Sequence, residues 1–165
     1  MTADTIIPSS EMQAQRLERV YHQLNTLLHN PDVAPRFHTA PGEDAWSALQ
    51  ILGHLVEMIP YWLDHCHRLI AETHEQPQFG RTLDAPERLA GVEAATTSDA
   101  TQLLSRLQQV VETAAKDIRH MTEAERHKTG RHVRQGTMTV AEVIEYFIIR
   151  HAEAHVIQVQ EALKL

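Results

Sequence analysis

The residues best suited to chemistry in this chain are its histidines. The 165 residues include twelve of them, and imidazole is both a common metal ligand and the side chain that titrates near neutral pH. His151 and His155 are four residues apart, so on a helix both project from one face and can share a metal ion. A shuffled sequence of this composition would contain about one such pair, so the spacing alone is weak support for a site.

The place of these two histidines in the last predicted helix is more informative. Steps of four residues lead from Val143 and Phe147 through both histidines to Val159, so the imidazoles lie in an otherwise apolar stripe that should face a core. Two neighbouring buried imidazoles without partners are costly, and they would repel each other if both were charged. Something should therefore compensate them.

His54 is the third candidate. It lies at helical spacing from Ile51 and Met58, near or within the inward face of the second predicted helix. Two inward histidines on one helix and one on another can form a three-imidazole metal site in a bundle. In the alternative interpretation, His54 and His151 bond backbone carbonyls or buried water, and His155 lies at a wet end of the bundle.

The other histidines are weaker candidates, because exposure on a solvated surface is the simpler explanation for them. They include His22 and His29 on the first helix, His65 and His67 on opposite sides of the second, and His120, His127 and His132 near the end of the third helix and in the loop after it.

Cys66 and Trp46 each have two interpretations. Cys66 lies four residues after Trp62 in an apolar stripe, which favours a small buried hydrophobic residue over a nucleophile. Trp46, just before the second helix, is expected to pack against that helix, with a pocket wall as the alternative.

Four amphipathic helices must position these residues, and no segment has the alternation or hairpin signals of a sheet. The fold class is therefore predicted as all-α, a four-helix bundle in a single domain over residues 1–165. The first helix is Ser10 to His29, and the second begins at the Ser47–Gln50 capping box, continues through Leu69 and is kinked at Pro60. The third follows Ser98 and stops near Met121. The last begins at the Thr139–Glu142 capping box and runs to about Leu163.

Two of the connections are long. The segment from Pro31 to Asp44 holds three prolines and reads as a loop. From about Glu72 to Thr97 the helical periodicity is lost, with room for only a short turn around residues 87–90. Connections of this length often cover a functional site.

Composition excludes several classes of function. A formal net charge of −7 argues against a nucleic-acid groove or an anionic membrane surface, since both need clustered cations. The most apolar stretch, Ile51 to Leu63, is too short to span a bilayer. With one cysteine and no secretory signal pattern at its start, the chain is expected to be cytoplasmic.

Two segments of the sequence carry longer motifs. Residues 46–55 read W-S-A-L-Q-I-L-G-H-L, and the segment that starts at Gly136 continues through H-A-E-A-H at 151–155. The first resembles the W-S-x-x-x-x-x-x-H-L start of the second helix in the DinB-like (YfiT-like) superfamily, and the second is similar to that family's last helix, which ends in H-x-x-x-H. The order of the helices and the long second connection also agree, so the resemblance covers nearly the whole chain.

This resemblance implies an up-down four-helix bundle, often dimeric, with a divalent metal held by His54, His151 and His155. Some members are similar to thiol-S-transferases that join bacillithiol or a related thiol to an electrophile, others to mycothiol-dependent isomerases, and some are named as metal-dependent hydrolases. The chain is accordingly expected to be a metal-dependent transferase or hydrolase that acts on a small electrophile. The alternative is a non-catalytic metal-binding or stress-related sensor protein of the same fold.

Three neutral imidazoles leave coordination positions open for water or substrate, which is typical of a catalytic site. Imidazole suits Zn²⁺ or Ni²⁺ best among the candidates, with Fe²⁺ or Mn²⁺ as alternatives. Glu57 and Glu153 are candidates to support the ligands, although a solvated helix face also explains Glu153. The sequence assigns no catalytic residue.

A homodimer is also predicted. Four large apolar side chains on the second and fourth helices, Tyr61, Trp62, Phe147 and Ile149, exceed what one bundle core was expected to hold, and a leftover apolar patch is usually an interface.

The three histidines predict one divalent metal ion per chain. His151→Ala should abolish stoichiometric binding of Zn²⁺ and Ni²⁺, because it removes one of three ligands, whereas His127→Ala should bind a full equivalent. Elemental analysis of the purified, metal-loaded variants measures both, and the reverse result would refute the ligand set.

Overall fold

The structure is a computed structural model, and it describes residues 6–73 and 76–164. Long helices dominate it, with three short strands between them. In chain order the elements are α1 (Ser10–Leu28), a 3₁₀ turn (Ala34–Arg36), α2 (Ala48–Ala71), β1 (Gln78–Phe79), α3 (Pro86–Ala95), α4 (Ala100–His120), α5 (Glu123–Arg126), β2 (Thr129–His132), β3 (Gly136–Thr139), α6 (Val140–Val143), a π-helical segment (Ile144–Ile149) and α7 (Arg150–Ala162).

The last three elements follow one another without a break and form the fourth long helix. Both capping boxes begin helices at the predicted places. The Ser47 hydroxyl accepts a hydrogen bond from the backbone N–H of Gln50, and the Gln50 side chain accepts one from the backbone N–H of Ser47. Thr139 and Glu142 make the same pair of bonds at the start of α6. These bonds satisfy backbone N–H groups that have no partner within the helix.

The four long helices pack as a bundle around one aliphatic core, which confirms the predicted fold class. α1 packs against α4 and against α7, and α2 packs against the same two helices. This order places α1 and α2 diagonally across the bundle. Fully buried side chains fill the space between them, among them Leu17, Leu24, Leu55, Leu107, Ile118 and Ile144.

A buried carboxylate joins α1 to the fourth long helix. Glu145 is fully buried and accepts hydrogen bonds from Arg16, Gln13 and Arg150. The two arginines and the amide supply the partners that a buried charge needs. This network fixes α1 beside the π-helical segment. Glu145 lies in that segment, six residues before His151.

The expectation of no β-structure is wrong. β1 pairs in parallel with β2, and β2 pairs antiparallel with β3. Gly136, at the end of the turn between β2 and β3, has φ of +76°, a conformation that glycine adopts readily. Strands of two to four residues are too short to show an alternating pattern, which is why the sequence did not reveal them.

The sheet also overturns the expectation that His132 is exposed. Only 4% of its surface is accessible, and its ring packs against Phe79 and Phe147 at centroid distances of 5.2 and 4.8 Å.

The long second connection is confirmed, but it contains a helix of ten residues, α3, where only a short turn was expected. α3 lies on α2 through small residues. A Cβ atom on Gly53 of α2 would approach the carbonyl oxygen of Gly91 to 2.6 Å and would also collide with the Cβ of Ala95. Because small residues make this contact, α3 lacks the leucine periodicity by which amphipathic helices are recognised.

α2 continues through Pro60 as one helix.

The predicted homodimer was based on four large apolar side chains. Two of them, Trp62 and Ile149, are buried within the chain, at 6% and 0% exposure. They provide no surface for a partner, and the homodimer stays a prediction.

The close approach of α3 to α2 predicts that Gly53→Ala destabilises the fold. Alanine favours a helix by up to about 1 kcal/mol over glycine, but the added methyl group has to push α3 away from α2. We expect the free energy of unfolding to fall by about 1–2 kcal/mol, a typical cost of overpacking. Denaturant unfolding measures it.

Gly42→Ala is the matched control, since a Cβ at Gly42 would meet no atom within 4 Å. An equal or higher stability of Gly53→Ala relative to the unmodified chain would contradict the packing described here.

Candidate metal centre

The fold brings the three candidate histidines together. His54 lies in α2, and His151 and His155 lie one turn apart on α7. The ring centroid of His54 is 5.4 Å from that of His151 and 4.8 Å from that of His155, and the last two are 4.7 Å apart. One ring nitrogen from each lies within 4.8 Å of the others, so the three could hold a single metal ion.

Several nitrogens of this cluster are buried and lack hydrogen-bond partners within the described residues. They are both ring nitrogens of His54 and Nε2 of His155. A buried polar atom without a partner costs free energy, and an imidazole nitrogen with a free lone pair is a good donor to a divalent metal. The residues present therefore fit a bound metal, and their role as ligands remains a prediction.

A hydrogen bond orients His155 on α7. Nδ1 of His155 is 2.7 Å from Oε1 of Gln158; because an amide oxygen only accepts, Nδ1 donates and leaves the lone pair on Nε2. Contacts of this kind fix the tautomer and direction of metal-binding imidazoles.

Burial keeps the three imidazoles uncharged. It lowers the pKa of His54 to about 3, with further contributions from the charges that His155 and His151 would carry. Burial and His155 lower the pKa of His151 to about 4, and burial also lowers the pKa of His155. Neutral imidazole is the form that binds metal, so at physiological pH the three histidines are in the protonation state that a metal requires.

Trp46 packs against the histidine cluster. Its ring centroid is 5.1 Å from that of His54 and 6.4 Å from that of His155, against which it stacks. The Arg88 guanidinium carbon is 5.0 Å from the centroid of the Trp46 ring. Trp46 thus packs against His54 of α2 and against the core, as the first interpretation expected, and it is not among the residues that line the adjoining cavity.

A cavity of about 110 Å³ opens beside His54 and His151. One part of its wall is apolar and another carries cationic or neutral polar groups. Its lining comprises Met58, Trp62, Leu83 and Phe147 on the apolar part and Arg81, Thr82, Arg88, His132 and Arg134 on the polar part. The long second connection supplies Arg81, Thr82, Leu83 and Arg88 to this lining.

Neither candidate supporting carboxylate bonds to a histidine of the cluster. Both oxygens of Glu57 bond the guanidinium of Arg81, which also stacks 3.8 Å above the centroid of the Tyr61 ring. Glu153 accepts from Arg16 of α1 at 2.7 Å. Glu57 thus pins the long connection onto α2, and Glu153 ties α7 to α1.

Cys66 is excluded as a nucleophile. It is fully buried, and burial raises the pKa of its thiol to about 12, so the reactive thiolate is not formed near neutral pH.

The weaker histidine candidates all lie outside the cluster. One of them, His132, lines the cavity beside it. Exposed positions are found for His22, His29, His67, His120 and His127, and His65 is half-buried with a ring nitrogen 3.1 Å from a backbone carbonyl.

Sequence reasoning missed Gln158, Arg81 and Arg88. The position of Gln158 three residues after His155 is compatible with its contact, but this spacing is too common to single it out. The two arginines lie in a segment without periodicity, where no pattern placed them near the histidines.

Comparisons with known proteins agree with the fold. The family model described as DinB superfamily matches residues 16–159. The chain is similar in fold to YfiT from Bacillus subtilis, described as a probable metal-dependent hydrolase with an unusual four-helix bundle topology; the TM-score is 0.77 at 16% identity, over 99% of this chain and 92% of that one. Curated proteins gave no sequence match.

The described residues also contain no helix long and apolar enough to cross a membrane.

The lowered pKa values predict a loss of stability on acidification. An unfolded histidine takes up a proton near pH 6.5, whereas buried His151 and His54 do so only near pH 4 and 3. Between those limits the unfolded state binds more protons, so the free energy of unfolding falls by up to about 1.4 kcal/mol per pH unit for each such histidine. A bound metal should make the fall steeper, because protons then compete for its ligands.

Melting temperature against pH, with zinc and with chelator, measures this effect. In chelator, His54→Leu should flatten the curve between roughly pH 6.5 and 4.5, while replacement of exposed His127 by Ala should leave it unchanged. Parallel curves with and without metal would show that the metal does not bind through these histidines.

Proposed function

This chain belongs to the DinB superfamily, and from that membership and the site geometry we propose that it is a metal-dependent enzyme that transfers a small thiol to an electrophilic small molecule. His54, His151 and His155 hold the metal in this proposal. The substrate enters through the cavity beside them.

One observation carries the proposal: buried imidazole nitrogens without partners lie beside an open cavity. Structural metal sites are closed, with four protein ligands, whereas catalytic sites have three and an open position. Three histidines and an adjoining cavity match the catalytic type, and this favours the enzyme over a purely structural metal.

A divalent ion at this site, Zn²⁺ or Ni²⁺ in preference to Fe²⁺ or Mn²⁺, would supply the Lewis acidity that favours the deprotonated form of a thiol or of water. The chain itself supplies positioning. Gln158 holds the His155 ring in place, and Trp62 and Phe147, stacked with centroids 4.5 Å apart, form part of the apolar lining of the cavity. Because burial keeps Cys66 protonated near neutral pH and it is the only cysteine of the chain, the reacting thiol in this proposal belongs to a separate molecule.

Hydrolysis is the second candidate, with water in place of the thiol. It is supported by the fold likeness to YfiT, which is described as a probable metal-dependent hydrolase. The same histidines and cavity would serve either nucleophile.

The test is turnover by the zinc- or nickel-loaded protein of 1-chloro-2,4-dinitrobenzene with bacillithiol, mycothiol or glutathione. The thiol sulfur bonds the aromatic carbon, chloride leaves and the thiol proton goes to the buffer, so thioether formation is followed by absorbance. We expect His151→Ala to lose more than about 100-fold in rate, beyond the usual effect of losing an outer contact to a ligand. Cys66→Ser should retain the rate.

The outcomes separate the candidates. Metal-dependent cleavage of a nitrophenyl ester without thioether formation would favour the hydrolase. Stoichiometric metal without turnover of either substrate would overturn the enzyme and favour the non-catalytic alternative.

A further inference from the structure

Arg88 is a partly buried cation without an acidic partner among the described residues. Its Nη1 donates to the backbone carbonyl of Leu83 at 2.7 Å, and its guanidinium lies against Trp46. Burial and then the charge of Arg81 lower the pKa of Arg88, and the nearby carboxylate of Glu57 offsets only part of this lowering, so the position is unfavourable to the positive charge that Arg88 carries. Arg81 differs, because Glu57 neutralises it.

Nothing in the cavity wall offsets this charge. Arg134 lies on the same wall, and none of the described lining residues is acidic. His132 contributes another donor: its Nδ1 accepts from the backbone N–H groups of Arg134 and Gln135 at 3.2 and 3.1 Å, so the ring proton lies on Nε2. The cavity therefore presents a positive potential, which attracts anions.

The histidine cluster lies within reach of this potential. Arg88 lines the same cavity as His54 and His151, and its guanidinium lies over Trp46, whose ring packs against His54 and His155. A divalent ion held by those histidines would add positive charge next to an unpaired guanidinium. An anionic group between them would relieve the repulsion.

The packing of α3 fixes this arrangement. Gly91 follows Arg88 by three residues on α3, and Gly53 immediately precedes His54 on α2. The close contact between the two glycines sets the distance between the two helices. Arg88 is thus held beside the histidine cluster by the backbone and does not depend on a flexible loop.

We propose that the cavity takes a small molecule with a carboxylate, phosphate or sulfonate group, which Arg88 binds while the reactive end of the molecule lies at the histidines. This inference rests on the proposed function, because it assigns the substrate class of that same site. A guanidinium suits all three anions through paired N–H donors.

The test compares two thiols that differ in one charged group, 2-mercaptoethanesulfonate and 2-mercaptoethanol. Sulfonate is a weak metal ligand, so a difference between the two reports on the cation in the protein. Calorimetric titration of the zinc-loaded protein should show the sulfonate bound about tenfold more tightly or better, as expected for one charge-assisted hydrogen-bonding pair.

Arg88→Gln should abolish this preference and leave the affinity for 2-mercaptoethanol unchanged, whereas Arg88→Lys should retain part of it. Arg88→Met keeps the apolar stem and serves as a second charge-removing variant, with melting temperatures to check that each variant folds. Arg106→Gln, which removes the same charge from an exposed position on α4 outside the cavity, should behave like the unmodified chain.

Equal affinity for the two thiols, no binding of either, or a preference that survives in both folded charge-removing variants would overturn the proposal. Failure of the proposed function gives a different result. In the cobalt-loaded protein, a preference for the sulfonate without a thiolate-to-cobalt absorption band would support the anion site and refute thiol activation.

Discussion

The burial of three imidazole rings against one another is the constraint on which the rest of the structure depends. Charged, the rings would repel each other inside an aliphatic bundle; neutral, they leave nitrogens that need partners. The lowered pKa values of His54 and His151 mean that the fold keeps these rings neutral. Nitrogens without partners lower the stability of the fold but stay available to a metal. Side chains that bonded these nitrogens would also close the site to a metal and a ligand.

The surrounding elements hold these rings in place by rigid contacts. The Glu145 network joins α1 to the segment before His151, and the pairing of Glu57 with Arg81 fastens the long connection to α2. Small residues let α3 lie against α2 beside His54. Each contact joins elements that are distant in sequence, so the site is a product of the whole bundle.

The sequence predicted those parts of the fold that depend on local patterns. Apolar periodicity located the long helices, and two capping boxes located the starts of α2 and α6, because both signals arise within a few residues. α3 escaped prediction because glycine and alanine make its contact, and the strands escaped because they are too short to alternate. In the site, the histidines could be proposed from stripes and a family resemblance, whereas Arg88 could not, since only the tertiary contact between α3 and α2 brings it near.

The positions of the two tryptophans give the molecule an optical property. The chain contains only Trp46 and Trp62; the first packs against two of the clustered histidines and the second lines the cavity. Its intrinsic tryptophan fluorescence therefore arises entirely from the surroundings of one site. An open-shell ion such as Ni²⁺ would quench this emission, while d¹⁰ Zn²⁺ lacks the electronic states to do so. The protein thus carries its own reporter, without a label, of which kind of ion its histidines have bound.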